Sequence, residues 1–385
     1  MLVCLFLEGD LIRDSQDKQP QSTPLLHHFK LVGMKGISEF ISKLLRTSGK
    51  RGSDETNLPC RRFSLAEIKT ATNNFDDNLF IGEWNCRKVY KGFIDDPTIT
   101  VAIARTDLWW PNRELLLLCQ LHHPNLLRLI GYCFDKYERI TVYEFMVNRN
   151  LGDHIYATER HEPLPWKQRL QICIGVARGL HYLHTGLKNT IIHRDVNPSN
   201  ILLDEKWEAK LGGFEISEMG PPSLSKASIN IEHVAAEYIN LENFHANWGR
   251  LSDKCDVYSF GMVLLEVLCA RKPSEASVER EEEVCLRDWA QKCKEEGTIN
   301  QIIDPHLTGK IAPECLNIYV DIATSCVQNE RKDRPTIVEV EVGLEHALEL
   351  QESADAASKD VDPVCDQKCT TSTDLSLDTT TPNGK

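Results

Sequence analysis

The chain of 385 residues is long enough for one large domain with tails or for two small ones, and with 41% hydrophobic residues it can bury a sizeable core. Its net charge of -13 argues against general affinity for nucleic acid. Fourteen Cys are scattered without a C-x-x-C pair, and several, such as Cys119, Cys173 and Cys269, lie inside apolar runs. That usage suits reduced thiols in a cytosolic protein better than a disulfide framework or a zinc site. The opening MLVCLFL is soon broken by Glu8, too short a stretch for a signal peptide, and no apolar run approaches the roughly 20 residues of a membrane span.

Residues 1–60 read as a separate leader. Residues 19–24 and 48–59 are polar and rich in turn formers, and between them Ile37, Phe40, Ile41, Leu44 and Leu45 recur at helical steps. Lys35, Lys43, Arg46, Lys50 and Arg51 make residues 35–51 basic, which suits peripheral contact with an anionic membrane surface. A helix packed on the domain and an unfolded leader are the alternatives. Residues 63–75, FSLAEIKTATNNF, predict a short amphipathic helix opened by a Ser64/Glu67 capping box. Residues 81–92, IGEWNCRKVYKG, predict a hairpin. Residues 100–105, TVAIAR, predict a strand in which Ala104 and Arg105 face opposite sides. Pro111 is placed to start a helix carrying Glu114. A further strand is expected over 140–146, ITVYEFM. A long helix follows over 166–184, with Leu170, Ile174, Ala177 and Leu180 on one face. Then come IIHRDVNPSNILLD at 191–204, KLGGFE at 210–215, DVYSFG at 256–261 and DRPTIVEV at 333–340. Residues 351–385 are acidic and Ser/Thr-rich without periodicity, and read as a disordered tail.

His193-Arg194-Asp195 followed by Asn200 after four residues is the H-R-D-x-x-x-x-N pattern of protein kinases. With the flanking motifs, residues 61–350 resemble one kinase domain of the plant receptor-like kinase family, in particular the FERONIA-type, malectin-like group and its cytoplasmic relatives. The resemblance implies an α+β, two-lobed fold: a small antiparallel sheet lobe with one helix over 61–146, and a larger, mainly helical lobe over 147–350. The extracellular half and membrane span of such receptors are not expected here. The resemblance also implies ATP and Mg²⁺ as ligands. Asp195, supported by His193 and Arg194, would accept the proton of a substrate hydroxyl, and Asn200 would bind metal. Gly82, Val89, Ala102, Tyr143, Met146 and Leu202 would form the nucleotide slot. Glu114, Phe214 and Asp256 would brace it, the last by anchoring the catalytic loop, and Glu237 would pair with Arg334. Receptor-like kinases are the implied protein partners. The implied location is the cytoplasm, at the inner face of the plasma membrane if the leader binds there.

Against the family pattern, Trp84 and Arg87 stand at two positions of a glycine-rich phosphate loop, and Ala104 stands for the strand lysine that contacts phosphate. Gly213 stands for the metal-binding Asp and Glu215 for the glycine that follows the Phe. An indole at 84 is expected to crowd the loop or fill the nucleotide space. Two functions compete on these residues. One is a catalytically impaired pseudokinase acting as a scaffold or allosteric partner of an active kinase. The other is an active Ser/Thr kinase in which Arg87 takes over from the missing lysine, as in the with-no-lysine kinases. Glu215 would then reach a metal only if the backbone rearranged. Arg194 and the serines 217, 223, 225 and 228 suggest a segment that another kinase phosphorylates and that then orders on Arg194.

Overall fold

The computed structural model describes residues 60–95, 98–106, 113–135, 138–156, 162–219, 229–230, 250–273 and 285–359. The leader with its basic stretch, Glu237, Ser223, Ser225, Ser228 and the tail beyond 359 lie outside these residues.

The small lobe opens with β1 (Arg61–Arg62) and α1 (Leu65–Ala71). The hydroxyl of Ser64 accepts from the Glu67 amide, and the Glu67 carboxylate accepts from the Ser64 amide, so two orphan donors of the helix start are satisfied reciprocally. The strands β2 (Phe80–Trp84), β3 (Arg87–Ile94), β4 (Ile99–Thr106), β5 (Leu129–Phe134) and β6 (Arg139–Glu144) follow. They form one sheet with β1, in the order β1-β5-β6-β4-β3-β2, antiparallel except for β1 on β5. Between β4 and β5 lies the short helix α2 (Arg113–Leu118).

Alternation gives this sheet two apolar faces. Val101, Ile103, Ile140 and Val142 point to Phe63 and Ile68 on the outer face. Arg105 shares that side: its guanidinium grips the Glu138 carboxylate at 2.8 and 2.6 Å and lies over the Phe75 ring. Ala104 and Tyr143 point the other way and join the main core with Leu115, Leu117 and Leu118 of α2.

The large lobe contains α3 (Gly152–Ile155), α4 (Trp166–Thr185), α5 (Asp253–Cys269), α6 (Leu286–Glu295), α7 (Pro313–Cys326) and α8 (Ile337–Lys359). Leu170, Ile174, Ala177 and Leu180 of α4 are all buried, as the helical spacing requires. The two lobes give the α+β, two-lobed architecture expected above. α8 runs to Lys359, past the boundary expected at residue 350, because Gln351 is buried and its amide oxygen caps the Ala312 amide at 2.9 Å. None of the helices among the described residues is long and apolar enough to cross a membrane.

The cysteines divide. Cys133, Cys173, Cys269, Cys293, Cys315 and Cys326 are free and buried, but Cys60 and Cys119 are joined in a disulfide. The strand start at Cys60 lies along the end of α2 with Cα atoms 5.7 Å apart, within the reach of a bridge. The expectation of reduced thiols throughout is corrected for that pair.

Two buried ionisable groups tie the large lobe together. Arg169, fully buried, donates to Leu164 O, Val267 O and the Asp304 carboxylate, the last at 2.6 Å. Arg169→Met leaves the Asp304 carboxylate buried without its cation. It is expected to cost about 3–5 kcal/mol in urea denaturation, and a cost under about 1 kcal/mol would contradict this account. Glu266 on α5 accepts a hydrogen bond from Tyr156, yet burial outweighs that bond and pushes its carboxyl up from 4.5 to about 8. The folded state therefore keeps a proton that the unfolded chain loses above pH 4.5. This contribution to stability is full below pH 4.5 and fades as pH rises through about 8. Glu266→Gln cannot ionise. Between pH 5 and 8 wild type should lose stability relative to this variant by a few kcal/mol, at about 1.4 kcal/mol for each step of one in pH. Parallel pH profiles for the two proteins would contradict it.

Candidate active site

The catalytic loop hangs from Asp256, fully buried in the first turn of α5. One carboxylate oxygen accepts from His184 Nε2 and from the His193 amide, both at 2.8 Å, and the other accepts from the Arg194 amide at 2.7 Å. Burial pushes this carboxyl up, but these donors, His184 foremost, outweigh it and hold it below the usual range. Arg194 adopts a left-handed backbone with φ 74°, which a non-glycine residue holds only when its surroundings impose it. His193 is fully buried, and burial pushes its pKa down, so the ring is neutral. Its Nε2 donates to Gly212 O at 2.9 Å, its Nδ1 accepts from the Asp195 amide at 3.2 Å, and Phe214 stands edge-on to it at 4.7 Å.

Asp195 and Asn200 are brought together by the turn between them. Asn200 Nδ2 donates to the Asp195 carboxylate at 2.7 Å and to its carbonyl at 2.8 Å. Asn197 Nδ2 donates to the other carboxylate oxygen at 2.9 Å. The remaining polar atom of the Asn200 amide, its oxygen, accepts from the Trp84 indole N–H at 3.1 Å.

That last contact crosses between lobes and follows from the hairpin. β2 and β3 pair up to Trp84 opposite Arg87, leaving Asn85 and Cys86 as a two-residue turn, both with positive φ. Such a turn matches the strand twist. It lets the ladder run to its end, with the two strands locked in register at Glu83–Lys88 and Trp84–Arg87. Residues directly opposite share a face, so Trp84 and Arg87 both point into the cleft with Val89 and, from β4 and β6, Ala102, Ala104 and Tyr143. Gly82 keeps its left-handed φ of 155° with open space where a Cβ would stand.

Trp84 fills the space below the hairpin. Its ring meets Tyr143 edge-on at 5.9 Å, and a Cβ on Gly212 would stand 3.2 Å from the indole. Arg87, only 6% exposed, donates to the Tyr143 hydroxyl at 3.2 Å and pairs with the Glu215 carboxylate at 3.2 Å. Glu215 is equally buried. Gly213 has φ 85°, and a Cβ there would lie 2.4 Å from Asn200 Nδ2. Val89, Ala102, Met146 and Leu202 are partly buried and line the same core as Tyr143.

The expected roles are thus redistributed. Arg87 is bound to Glu215, and Glu215 faces Arg87 instead of a metal position. Arg194 donates to Ile216 O at 3.0 Å and pairs with Glu218 at 3.3 Å, so an internal carboxylate stands where a phosphoserine was expected. Ser217, one of the serines expected to be phosphorylated, is not exposed. The turn after Phe214 folds it under the catalytic loop, where it is fully buried and donates to His193 O at 2.9 Å. Glu114 lies in α2, and its side chain is outside the described atoms. The ion pair expected between Glu237 and Arg334 falls outside the described residues. Arg334 itself donates to Gln328 O and Lys254 O and lies over the Tyr258 ring. The Glu215 and Glu218 pairings were missed in the sequence. The signal for the first was the joint gain of an Arg at 87 and an acid at 215 against the family pattern.

Residues 87–344 match the family described as protein tyrosine and serine/threonine kinase. Among curated proteins of Arabidopsis thaliana, the chain is 45% identical over 319 residues to the receptor-like protein kinase FERONIA, an alignment covering 80% of this chain and 35% of that one. It is 47% identical over 324 residues to the receptor-like protein kinase ANXUR2, covering 80% and 37%. With the receptor-like protein kinase THESEUS 1 it shares 38% over 360 residues, covering 89% and 41%. The chain therefore spans little more than a third of the length of most of these relatives. The chain belongs to the protein tyrosine and serine/threonine kinase family, and its kinase domain is of the receptor-like kind.

Proposed function

We propose that this domain is a pseudokinase: a signalling protein that acts as a scaffold or allosteric partner of an active receptor-like kinase without transferring phosphate itself. The observation that carries this reading is Trp84. Its indole fills the cleft above Gly212 and its N–H occupies the amide oxygen of Asn200, the one group left of the family's metal set. Phosphoryl transfer depends on charge placed around phosphates and metal. Here Ala104 offers no cation, Gly213 no carboxylate, and the cation that does enter the cleft, Arg87, is met by Glu215. The residues present do not fit a nucleotide held through Mg²⁺. The catalytic loop and the described helices of the large lobe are meanwhile held by their own buried contacts, which suits a surface for protein partners.

A second reading keeps one observation in its favour: the Arg87 guanidinium lies inside the cleft, on the face that Ala104 shares. In that reading Arg87 would serve phosphate after Glu215 and Trp84 withdraw, and Arg87→Ala would abolish autophosphorylation while Arg105→Ala would not.

Thermal denaturation of the full chain with Mg·ATP and with Mn·ATP separates the two. A ligand at 100 times its dissociation constant stabilises by about 2.7 kcal/mol, which shifts the melting temperature by several degrees. No shift is expected up to millimolar nucleotide. A metal-dependent shift at sub-millimolar ATP would overturn the pseudokinase reading.

Restoring the two missing family residues should not restore catalysis. In the Ala104→Lys, Gly213→Asp double variant, the new Cβ at 213 meets Asn200 at 2.4 Å in a left-handed backbone, and Trp84 still fills the cleft. Radiolabelled phosphate transfer should stay at background. Adding Trp84→Gly and Glu215→Gly should be what first gives measurable Mg·ATP affinity. Transfer by the double variant alone, at the rate of an active relative, would contradict this.

A further inference from the structure

We propose that Trp84, Arg87, Gly213 and Glu215 form one interlobe latch that holds the two lobes closed without nucleotide, an inference that rests on the pseudokinase reading of the same cleft. All four are positions where this chain departs from the kinase pattern, and all four meet at one place.

Each member needs the others. Arg87 comes from the small-lobe hairpin and Glu215 from the large lobe, and both side chains are more than nine-tenths buried. Burying either charge carries a desolvation penalty of several kcal/mol, which the opposite charge across the lobes offsets. The Tyr143 hydroxyl accepts from the same guanidinium and so fixes its plane. Trp84 reaches Asn200 in a single amide orientation, the one in which Nδ2 serves Asp195 and Oδ1 faces up to the indole. The Asn200 amide fills the space where a side chain at 213 would begin, so Gly213 gives it the room from which it reaches Trp84. Gly212 must also be small, because a Cβ there would press on the indole at 3.2 Å. Independent loss of function would not place opposite charges 3.2 Å apart in a buried site, nor remove a side chain where an amide needs the room.

The consequence concerns regulation. Where a nucleotide bridges two lobes, closure follows its concentration. Here the bridge is covalently part of the chain, so closure is constant and the surface shown to a partner does not depend on ATP. Opening requires separating a buried ion pair.

The test uses the full 385-residue chain without nucleotide. Arg87→Met, Glu215→Met and the double variant are compared by thermal denaturation, and hydrogen exchange is followed in residues 80–94 and 200–215. Each single variant should lower the melting temperature by several degrees and speed hairpin exchange about tenfold, while the double variant, with no charge left to bury, should recover most of the loss. Trp84→Phe removes the indole donor and part of the ring without touching a charge, and should also speed exchange in both segments about tenfold, which keeps the proposal open to refutation if the charge variants do not fold. Additive losses in the cycle, or exchange in Trp84→Phe equal to wild type, would overturn the latch. Adding Mg·ATP to wild type separates this failure from the other. A nucleotide shift sinks the pseudokinase reading whatever the cycle gives, and no shift with an additive cycle sinks the latch alone.

Discussion

Asp256 carries a full negative charge into a place without solvent, and three donors from two segments converge on it. Two of these are consecutive backbone amides, of His193 and Arg194, so the carboxylate dictates the path of the chain at the start of the catalytic loop. The left-handed conformation of Arg194 follows from that path and is offset by the hydrogen bond it makes. Once the turn is set, His193 reaches Gly212, Ser217 reaches back to His193, and Arg194 is aimed at Ile216 and Glu218. A single side chain at a helix start thus positions the loop, Gly212 and residues 216–218. Nothing in that chain of contacts requires a nucleotide, a metal or a phosphate.

The framework explains how altered chemistry and an intact fold coexist. The groups that hold the loop are bonded among themselves and face the helical core. The side chains that face the cleft are bonded to one another there: the Trp84 indole to the Asn200 amide, and Arg87 to Glu215. Asn200 belongs to both sets, since its amide nitrogen donates to Asp195 while its oxygen accepts from Trp84.

Much of this was legible in the residues. The capping box at Ser64, the opposite facing of Ala104 and Arg105, and the buried stripe of α4 are local consequences of helical and strand periods, and short-range patterns specify them fully. The catalytic loop was legible because its order of residues is long and specific. Trp84 was suspected of filling the cleft, and Arg87 was read as a candidate phosphate ligand. The missing knowledge was of partners: which charge meets Arg87, which acid meets Arg194. Those pairings join residues 128 and 24 positions apart: the first depends on how the two lobes are set and the second on the path of the chain after Phe214, neither of which a local period encodes. The Cys60–Cys119 bridge was hidden for the same reason: its halves are 59 residues apart and neither sits in a spaced motif. The extension of α8 to Lys359 was missed because Gln351 is a polar residue buried for its hydrogen bond to Ala312, an exception that apolar periodicity cannot show.

The most direct measurement of the central claim, that the cleft is filled by the chain itself, is the indole N–H resonance of Trp84. It is assigned by its disappearance in Trp84→Phe and followed in heteronuclear spectra of the full chain. A donor bonded to Asn200 inside a closed cleft should exchange slowly with solvent and keep its chemical shift when Mg·ATP is added at millimolar concentration. Rapid exchange in the free protein, or a saturable shift on adding Mg·ATP, would show that the indole leaves the cleft to a nucleotide and would contradict the account.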